Sequence, residues 1–205
     1  MLNVPLLPHT LEHMSAARTH FREALSLLSN LIEDDAFISS VDSASKALSS
    51  CLHSGGKILS CGNGGSMSDA MHFAEELSGK FREDRPAYAA IALSSPAHIT
   101  CVANDYGFDK IFSRGIEALG SRGDVLLAIS TSGNSPNVLE AARAAKFKGM
   151  NIVSLTGGDG GELAALSDYE IRIPWDGYSD RIQEMHIKCI HAMIDSIEKS
   201  FISFS

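Results

Sequence analysis

Val125-Leu-Leu-Ala-Ile-Ser-Thr-Ser-Gly-Asn-Ser-Pro136 decides the fold, because it joins an apolar run to a polar loop and then to a helix start. Val125–Ile129 is apolar throughout, which is typical of a central strand buried on both faces of a parallel sheet. Pro136 suits the first turn of a helix, where its missing N–H is not needed. The stretch therefore predicts a strand, a loop and a helix in that order.

Short apolar runs alternate with helical patterns on both sides of this stretch. The strand candidates are Ile58–Cys61, Ala89–Leu93, Val125–Ile129, Ile152–Leu155 and Glu170–Ile173. Helical stretches lie around Ser68–Lys80, Phe108–Leu119, Asn137–Lys148 and Glu162–Ser167. Strands that alternate with helices predict an α/β fold. Its central five-stranded parallel sheet would be covered by helices on both faces, as a three-layer sandwich.

Helical patterns also occupy the two ends of the chain. The first runs from about His9 to His53, and Gly55-Gly56 stops it. The last runs from Arg181 to about Phe204, and its apolar residues cover more than one narrow face. We expect this last helix to be packed on several sides, one of them by another subunit.

Composition and charge limit the class of protein. The chain has 205 residues, 44% of them hydrophobic and 20% charged, which is ordinary for a soluble globular protein with a sizeable core. The net charge of -8 argues against general binding of nucleic acid. It does not exclude a small anionic ligand, because backbone N–H groups can bind phosphate in an acidic protein.

The cysteines and the N-terminus indicate a cytoplasmic protein. Cys51, Cys61, Cys101 and Cys189 form no CxxC pair, and Cys61 and Cys101 lie among apolar residues that predict a core position. Reduced thiols are therefore expected, with neither a disulfide framework nor a cysteine zinc site. Residues 1–10 lack the pattern of a signal peptide, and no apolar stretch has the length of a membrane span.

Two loops that follow predicted strands have the chemistry of anion binding. Ligands of parallel sheets bind beyond the carboxyl ends of the strands. Gly62–Ser66 and Ser130–Ser135 both place small residues and backbone N–H groups at a helix N-terminus. Considered by itself, Ser135 could simply be the cap of the next helix. Four hydroxyl groups at the end of one strand favour a phosphate-binding loop instead. Neither loop has a nucleotide-binding pattern, so no nucleotide cofactor is implied.

Titratable side chains share one face of the predicted helix that follows Gly62–Ser66, the glycine loop. His72 and Glu76 are four residues apart, and Glu75 is also near His72, so spacing alone does not choose between the two glutamates. Gln183 and His191 lie on roughly one side of the last helix. The alternative for each is a solvated helix face, where charged residues mostly lie.

Together these residues resemble the sugar isomerase (SIS) family over nearly the whole chain. The matching blocks, in order, are Ser60–Ser66 (SCGNGGS), Asp69–Leu77 (DAMHFAEEL), Ala103–Asp105 (AND), Ile129–Ser135 (ISTSGNS) and Arg181–Ile187 (RIQEMHI), followed by His191. The resemblance implies a flavodoxin-like sheet and a single SIS domain over residues 1–205. Residues 1–54 would be an N-terminal helical oligomerisation segment, and residues 55–205 the α/β core with the C-terminal helix.

The resemblance is to the branch that converts sedoheptulose 7-phosphate to D-glycero-D-manno-heptose 7-phosphate, for the heptose of lipopolysaccharide. It implies an aldose–ketose isomerase in which Glu76 and His191 are the acid–base pair, and this favours Glu76 over Glu75. The implied substrate-binding residues are Asn63, Gly64, Gly65, Glu76, Asn104, Asp105, Ser130, Thr131, Ser132, Ser135 and Gln183. The implied ligands of one zinc ion per subunit are His72, Glu76, Gln183 and His191. A cytoplasmic homotetramer with sites between subunits is also implied.

Two other functions stay open at this point. One relative within the family binds a replication initiator protein and is not an enzyme, and other members act on other sugar phosphates. This chain keeps both Glu76 and His191, which favours the enzyme. It departs from some relatives at Met67-Ser68, positions that carry none of the implied roles.

Overall fold

The fold alternates strands and helices, as the sequence predicts. The structure is a computed structural model that describes residues 15–202. The strands are β1 (Ile58–Gly62), β2 (Ala90–Ala92), β3 (Val125–Ser130), β4 (Asn151–Gly157) and β5 (Tyr169–Ile173). The α-helices are α1 (Ala16–Ile32), α2 (Asp35–His53), α3 (Gly65–Ser78), α4 (Pro96–Tyr106), α5 (Ser113–Leu119), α6 (Pro136–Lys148), α7 (Gly161–Leu166) and α8 (Ser179–Ile202). A short 3₁₀ helix, Phe108–Lys110, lies between α4 and α5.

The five strands form one parallel sheet in the order β2-β1-β3-β4-β5. This is the flavodoxin-like order, in which the chain reverses its direction across the sheet between β1 and β3. β3 is the central strand, and all of its residues are buried. The predicted α/β fold with five parallel strands is confirmed.

Helices cover both faces of the sheet because alternate strand residues point to opposite sides. Val125 and Leu127 belong to the core that contains residues of α2, α3 and α8. Leu126 and Ala128 belong to a second core, with residues of α4, α5, α6 and α7. The two cores and the sheet between them make the predicted three-layer sandwich.

The helix prediction is wrong in the segment after β2. α4 was not predicted, although Ser95 caps it by accepting a hydrogen bond from the His98 N–H and Pro96 opens its first turn. The predicted helix Phe108–Leu119 is interrupted, because Ile111 and Phe112 are buried in the core between the 3₁₀ helix and α5. The capping residues of α4 can be recognised in the sequence, but the burial of Ile111 and Phe112 depends on the tertiary fold.

The two terminal helices correct one inference from the sequence. The apolar residues of α8 that were assigned to a subunit contact are buried in the same chain, among them Ile190, Met193 and Ile197. They pack on α2, α3 and the sheet, so they give no evidence of a partner. The predicted helical segments at residues 9–14 and 203–204 lie outside the described residues.

The cysteines agree with the predictions from the sequence in all but one point. All four cysteines are free thiols. Cys61 is buried as predicted, but Cys101 is exposed, because it lies on the outer side of the unpredicted helix α4. Among residues 15–202, no helix combines the length and hydropathy of a membrane span.

His186 is a core residue that joins α8 to the sheet. Its ring is fully buried, and its Nε2 donates a hydrogen bond to the carbonyl oxygen of Thr156 at 2.9 Å. Its Nδ1 is buried without a partner within the described chain. Burial lowers the pKa of His186 to about 4, although the Thr156 carbonyl works against this shift. The ring is therefore neutral in the folded protein at neutral pH.

This histidine predicts a loss of stability in mild acid. Below about pH 6.5 the unfolded chain protonates His186, whereas the folded chain does so only near pH 4, so the unfolded state gains. From pH 7 to pH 5 the loss from this residue is roughly 2 kcal/mol. Urea unfolding of the parent and of His186→Gln at both pH values measures it. Equal losses in the two proteins would show that the ring is not held neutral.

Candidate active site

The candidate site lies where the sheet changes direction, beyond the carboxyl ends of β1 and β3. Asn63 follows β1 and Asn137 lies in the first turn of α6, after β3. Their side-chain amides donate to one another's oxygens, each at 2.8 Å, and Asn137 is buried. This pair fixes the glycine loop (Gly62–Ser66) to the helix that follows the serine loop (Ser130–Ser135). Asn137 was not predicted as a site residue from the sequence, although it directly follows Pro136.

The serine loop is held by its own hydroxyl groups. Ser130 Oγ donates to Ser135 Oγ at 3.0 Å, and Ser132 Oγ accepts from the Asn134 N–H at 3.1 Å. Ser135 stands at the N-cap of α6, yet among the described residues no side chain caps that helix. The capping alternative for Ser135 therefore does not explain its hydroxyl. A helix start without a side-chain cap, beside hydroxyl donors, is suited to an anion.

The stretch Gly157–Gly161, which runs from the last residue of β4 to the first residue of α7, packs against the serine loop. A Cβ on Gly133 would stand 1.9 Å from the Gly160 carbonyl oxygen, and the φ of Gly133 is +63°. The Leu163 N–H donates to the Gly133 oxygen, and the Glu162 N–H donates to Asn134 Oδ1. This loop was not predicted as part of the site, although its sequence signal is a run of glycines after a predicted strand.

α3 and α8 lie side by side and run in the same direction. Near their N-termini, the amide of Gln183 lies against Gly65, where a Cβ would stand 2.6 Å from Gln183 Oε1. Seven residues further along α3, His72 Nε2 lies 3.0 Å from His191 Nε2. The glycine at position 65 therefore lets α8 approach the loop, and the two helices bring both predicted histidines together.

His72 is the centre of a group of possible metal ligands. Its Nε2 lies 3.4 Å from Glu76 Oε1, and its Nδ1 lies 3.4 Å from Glu75 Oε1. Ligand atoms of these three residues lie within 4.8 Å of one another. Burial is the first cause that lowers the pKa of His191, followed by the neighbouring His72 ring, while Glu76 acts against it. This lowered pKa favours the neutral imidazole of His191 at neutral pH.

Asn104 and Asp105 lie apart from these groups in their hydrogen bonding. Both are exposed on the last turn of α4, where Asn104 Nδ2 donates to Asp105 Oδ1 at 2.7 Å. Their side-chain hydrogen bonds stay within α4, since Asp105 also accepts from the Cys101 thiol. Their predicted role in the site remains a prediction.

Asp69 is an additional carboxyl group on the face of α3 that carries His72. It lies four residues after Gly65 and three before His72, so all three share one side of the helix. Burial raises the pKa of Asp69 to about 6, with His72 opposing the shift, and Oδ2 is buried without a partner in the described chain. Its place in the Asp69–Leu77 block was noted from sequence, but no role was assigned to it.

Comparison with protein families identifies the class of this fold and site. The model of the SIS domain family matches residues 19–157, a range that contains both loops and all of α3. The chain therefore belongs to the SIS domain family.

Relatives with high sequence identity to this chain are phosphoheptose isomerases. The chain is 57% identical to a phosphoheptose isomerase of Pectobacterium atrosepticum over 182 residues, 89% of this chain and 94% of the relative. The structure of phosphoheptose isomerase from Neisseria gonorrhoeae aligns with a TM-score of 0.83 at 42% identity, covering 89% of this chain and 97% of that one. The Francisella tularensis phosphoheptose isomerase aligns with a TM-score of 0.85 at 38% identity, covering 91% and 100%.

The contact between Gly133 and Gly160 predicts a specific effect of Gly133→Ala. The new methyl group would overlap a backbone carbonyl, so one of the two loops has to move. We expect a loss of about 2–4 kcal/mol in unfolding free energy, from overpacking and the positive φ together. We also expect loss of inorganic phosphate binding, measured by calorimetry.

Gly158→Ala is the matched control, because Gly158 has a φ of +58° and nothing lies within 4 Å of an added Cβ. It should lose only the conformational contribution of about 1–2 kcal/mol and keep phosphate binding. Equal losses of stability and of phosphate binding in the two variants would contradict a role of the Gly133–Gly160 contact in holding the serine loop.

Proposed function

We propose that this protein is a sedoheptulose 7-phosphate isomerase, which forms D-glycero-D-manno-heptose 7-phosphate for lipopolysaccharide heptose. The observation that carries the proposal is the position of the His72–Glu76–His191 cluster along the same helix pair that begins at the glycine loop. An anion-binding loop and a group of acid–base side chains then share one site. The 57% identity to a phosphoheptose isomerase supports the same reaction.

The serine loop would bind the phosphate group, and the residues around it the sugar. Ser130, Thr131, Ser132 and Ser135 would donate to phosphate oxygens at the start of α6. The sugar hydroxyl groups would contact Asn63, Gly64, Gly65, Glu76, Asn104, Asp105 and Gln183. Binding energy from the phosphate, which does not react, would orient the reacting end of the sugar.

The chemistry is a proton transfer between two carbons. The Glu76 carboxylate removes a proton from C1 of the ketose, and the electrons form the C1–C2 double bond of an enediol. The same proton, or one from solvent, then returns to C2 and gives the aldose. The neutral imidazole of His191 carries the hydroxyl proton between O1 and O2, a role that suits a ring with a lowered pKa.

The donor set at His72 fits a zinc ion. Two ligands of a tetrahedral zinc with bonds of about 2.0–2.1 Å stand about 3.3 Å apart. The observed separations of 3.0 Å to His191 and 3.4 Å to Glu76 are close to this value. When bound, zinc would polarise the carbonyl oxygen of the substrate. His72, Glu76 and His191 would hold it from one chain.

Gln183 fits this ligand set only as a residue of a neighbouring subunit. It precedes His191 by eight residues on α8, which places the two about 12 Å apart along the helix axis. That is too far for side chains of one chain to share an ion, and Gln183 lies at Gly65 instead. A site completed between subunits would supply the fourth ligand.

The surface of α1 supports an interface between subunits, which we propose to belong to a homotetramer. Phe21, Leu25 and Ile32 of α1 are exposed by 78%, 64% and 57%. Ile32 also lines an apolar groove of about 290 Å³ between α1, α2 and α8. Exposed apolar surface of this kind marks an interface. Residues 1–54 would then be the oligomerisation segment of a single SIS domain that works in the cytoplasm.

The rival functions have weaker support. A non-enzymatic SIS domain that binds a replication initiator would not require the convergence of His72, Glu76 and His191. Another sugar phosphate would fit the serine loop equally well, so substrate choice is decided by assay. Turnover of sedoheptulose 7-phosphate, with fructose 6-phosphate as the comparison, distinguishes all three functions.

We predict that Glu76→Gln lowers turnover of sedoheptulose 7-phosphate by at least about 100-fold, because the amide cannot act as the base. Phosphate binding should be retained, since the serine loop is untouched. The measurement is incorporation of solvent deuterium at the substrate carbon.

Glu75→Gln is the matched comparison, because Glu75 precedes Glu76 and also approaches the His72 ring. Exchange at the parental rate in folded Glu76→Gln would refute its role as base. Loss of exchange in Glu75→Gln alone would transfer that role to Glu75.

Mixing two inactive variants tests whether Gln183 acts across subunits. Co-assembled Gln183→Ala and His191→Gln chains should regain activity and zinc in about one quarter of sites, if each site takes the two residues from different chains. Glu76→Gln mixed with His191→Gln is the control, since these two residues lie in one chain and no intact site can form. Absence of recovered activity and zinc in the first mixture would refute a site that takes Gln183 and His191 from different chains.

A further inference from the structure

Arg85 and Glu198 form a buried ion pair next to the proposed site. Arg85 Nε donates to Glu198 Oε1 at 2.7 Å, and the two side chains are only 7% and 3% exposed. The guanidinium group also lies over the Tyr88 ring, 4.2 Å from its centroid. Arg85 belongs to the segment between α3 and β2, and Glu198 to the last third of α8.

The rest of the guanidinium group holds the C-terminal end of α3. Nη2 donates to the Glu76 carbonyl oxygen at 2.7 Å, and Nη1 donates to those of Leu77 at 2.9 Å and Gly79 at 3.3 Å. The Glu76 and Leu77 carbonyls belong to the last turn of α3 and lack partners within the helix, and Gly79 is its C-cap, so a buried cation there is favourable. The Arg85 side chain therefore hydrogen-bonds directly to the backbone of Glu76, the proposed base.

The same pair fixes α8 relative to this point. Glu198 follows His191 by seven residues, which is two helical turns, so both lie on the same side of α8. Arg85 thus connects the backbone of Glu76 to the helix that carries His191. We propose that Arg85 is a positioning residue of the reaction, which together with Glu198 sets the separation between Glu76 and His191.

Stability alone does not account for this pair. A buried ion pair loses the hydration of both charges, and apolar side chains of similar volume can replace one without loss of stability. Catalysis is more demanding, since a displacement of about 1 Å in a reacting group can lower the rate 100-fold. A device that holds two catalytic helices in register is therefore expected to affect turnover more than folding.

The test compares the parent with Arg85→Met/Glu198→Met, which removes both charges and leaves neither buried alone. We expect a folded protein with phosphate binding like the parent's and with KM little changed. We expect kcat and the rate of deuterium incorporation to fall about 10–100-fold. Arg114→Met, which removes an exposed arginine paired with Glu117 on α5, is the control and should keep the parental kcat.

Arg85→Lys covers the case in which the double variant does not fold. Lysine keeps the charge next to Glu198, but its single ammonium group cannot also reach the Glu76 and Leu77 carbonyls. A tenfold or greater fall in kcat with unchanged KM supports positioning. Parental kcat in folded Arg85→Lys, or in the folded double variant, overturns it. The inference rests on the proposed function, whose own failure would appear as a parent protein that does not turn over sedoheptulose 7-phosphate.

Discussion

The parallel pairing of β1 with β3 is the constraint on which the site depends. Gly62 and Ile129 are partners in register at the ends of these strands, so the loops that follow them must emerge side by side. Both strands are buried on both faces, so the helix layers that pack on each side hold them in this register. The Asn63–Asn137 amide pair then joins the glycine loop to the start of α6, the helix that follows the serine loop. Core packing and site geometry are thus two results of one strand pairing.

The sequence predicted those parts of the fold that have a local signal. Val125–Ile129 is identifiable as a central strand because every residue is apolar, and β3 is fully buried. The serine loop was recognisable because four hydroxyl groups stand together after that strand. By contrast, the break before α5 was not predictable, because Ile111 and Phe112 leave the helical path only to fill the core.

The site contained more than a single sequence could reveal. His72 and Glu76 share a helix face by spacing alone, but nothing in their spacing indicates that His191 would lie 3.0 Å away. That contact depends on the packing of α3 against α8, which brings together residues 119 positions apart. The resemblance to a family indicated the residues, and the structure adds Asn137, Asp69 and the Gly157–Gly161 loop. Apolar periodicity in α8 was misleading, because a helix buried against several elements resembles one that waits for a partner.

The contact of Gly133 with Gly160 also affects how a ligand would be received. The serine loop cannot move toward the neighbouring loop, because the Gly160 carbonyl lies against Gly133. The Ser130–Ser135 and Ser132–Asn134 hydrogen bonds hold its shape from within. Its shape is therefore set before any anion arrives, and little conformational entropy remains to be lost on binding. Anion capture at this loop should be governed by diffusion and desolvation, with rearrangement left to the parts of the site contributed by the helices.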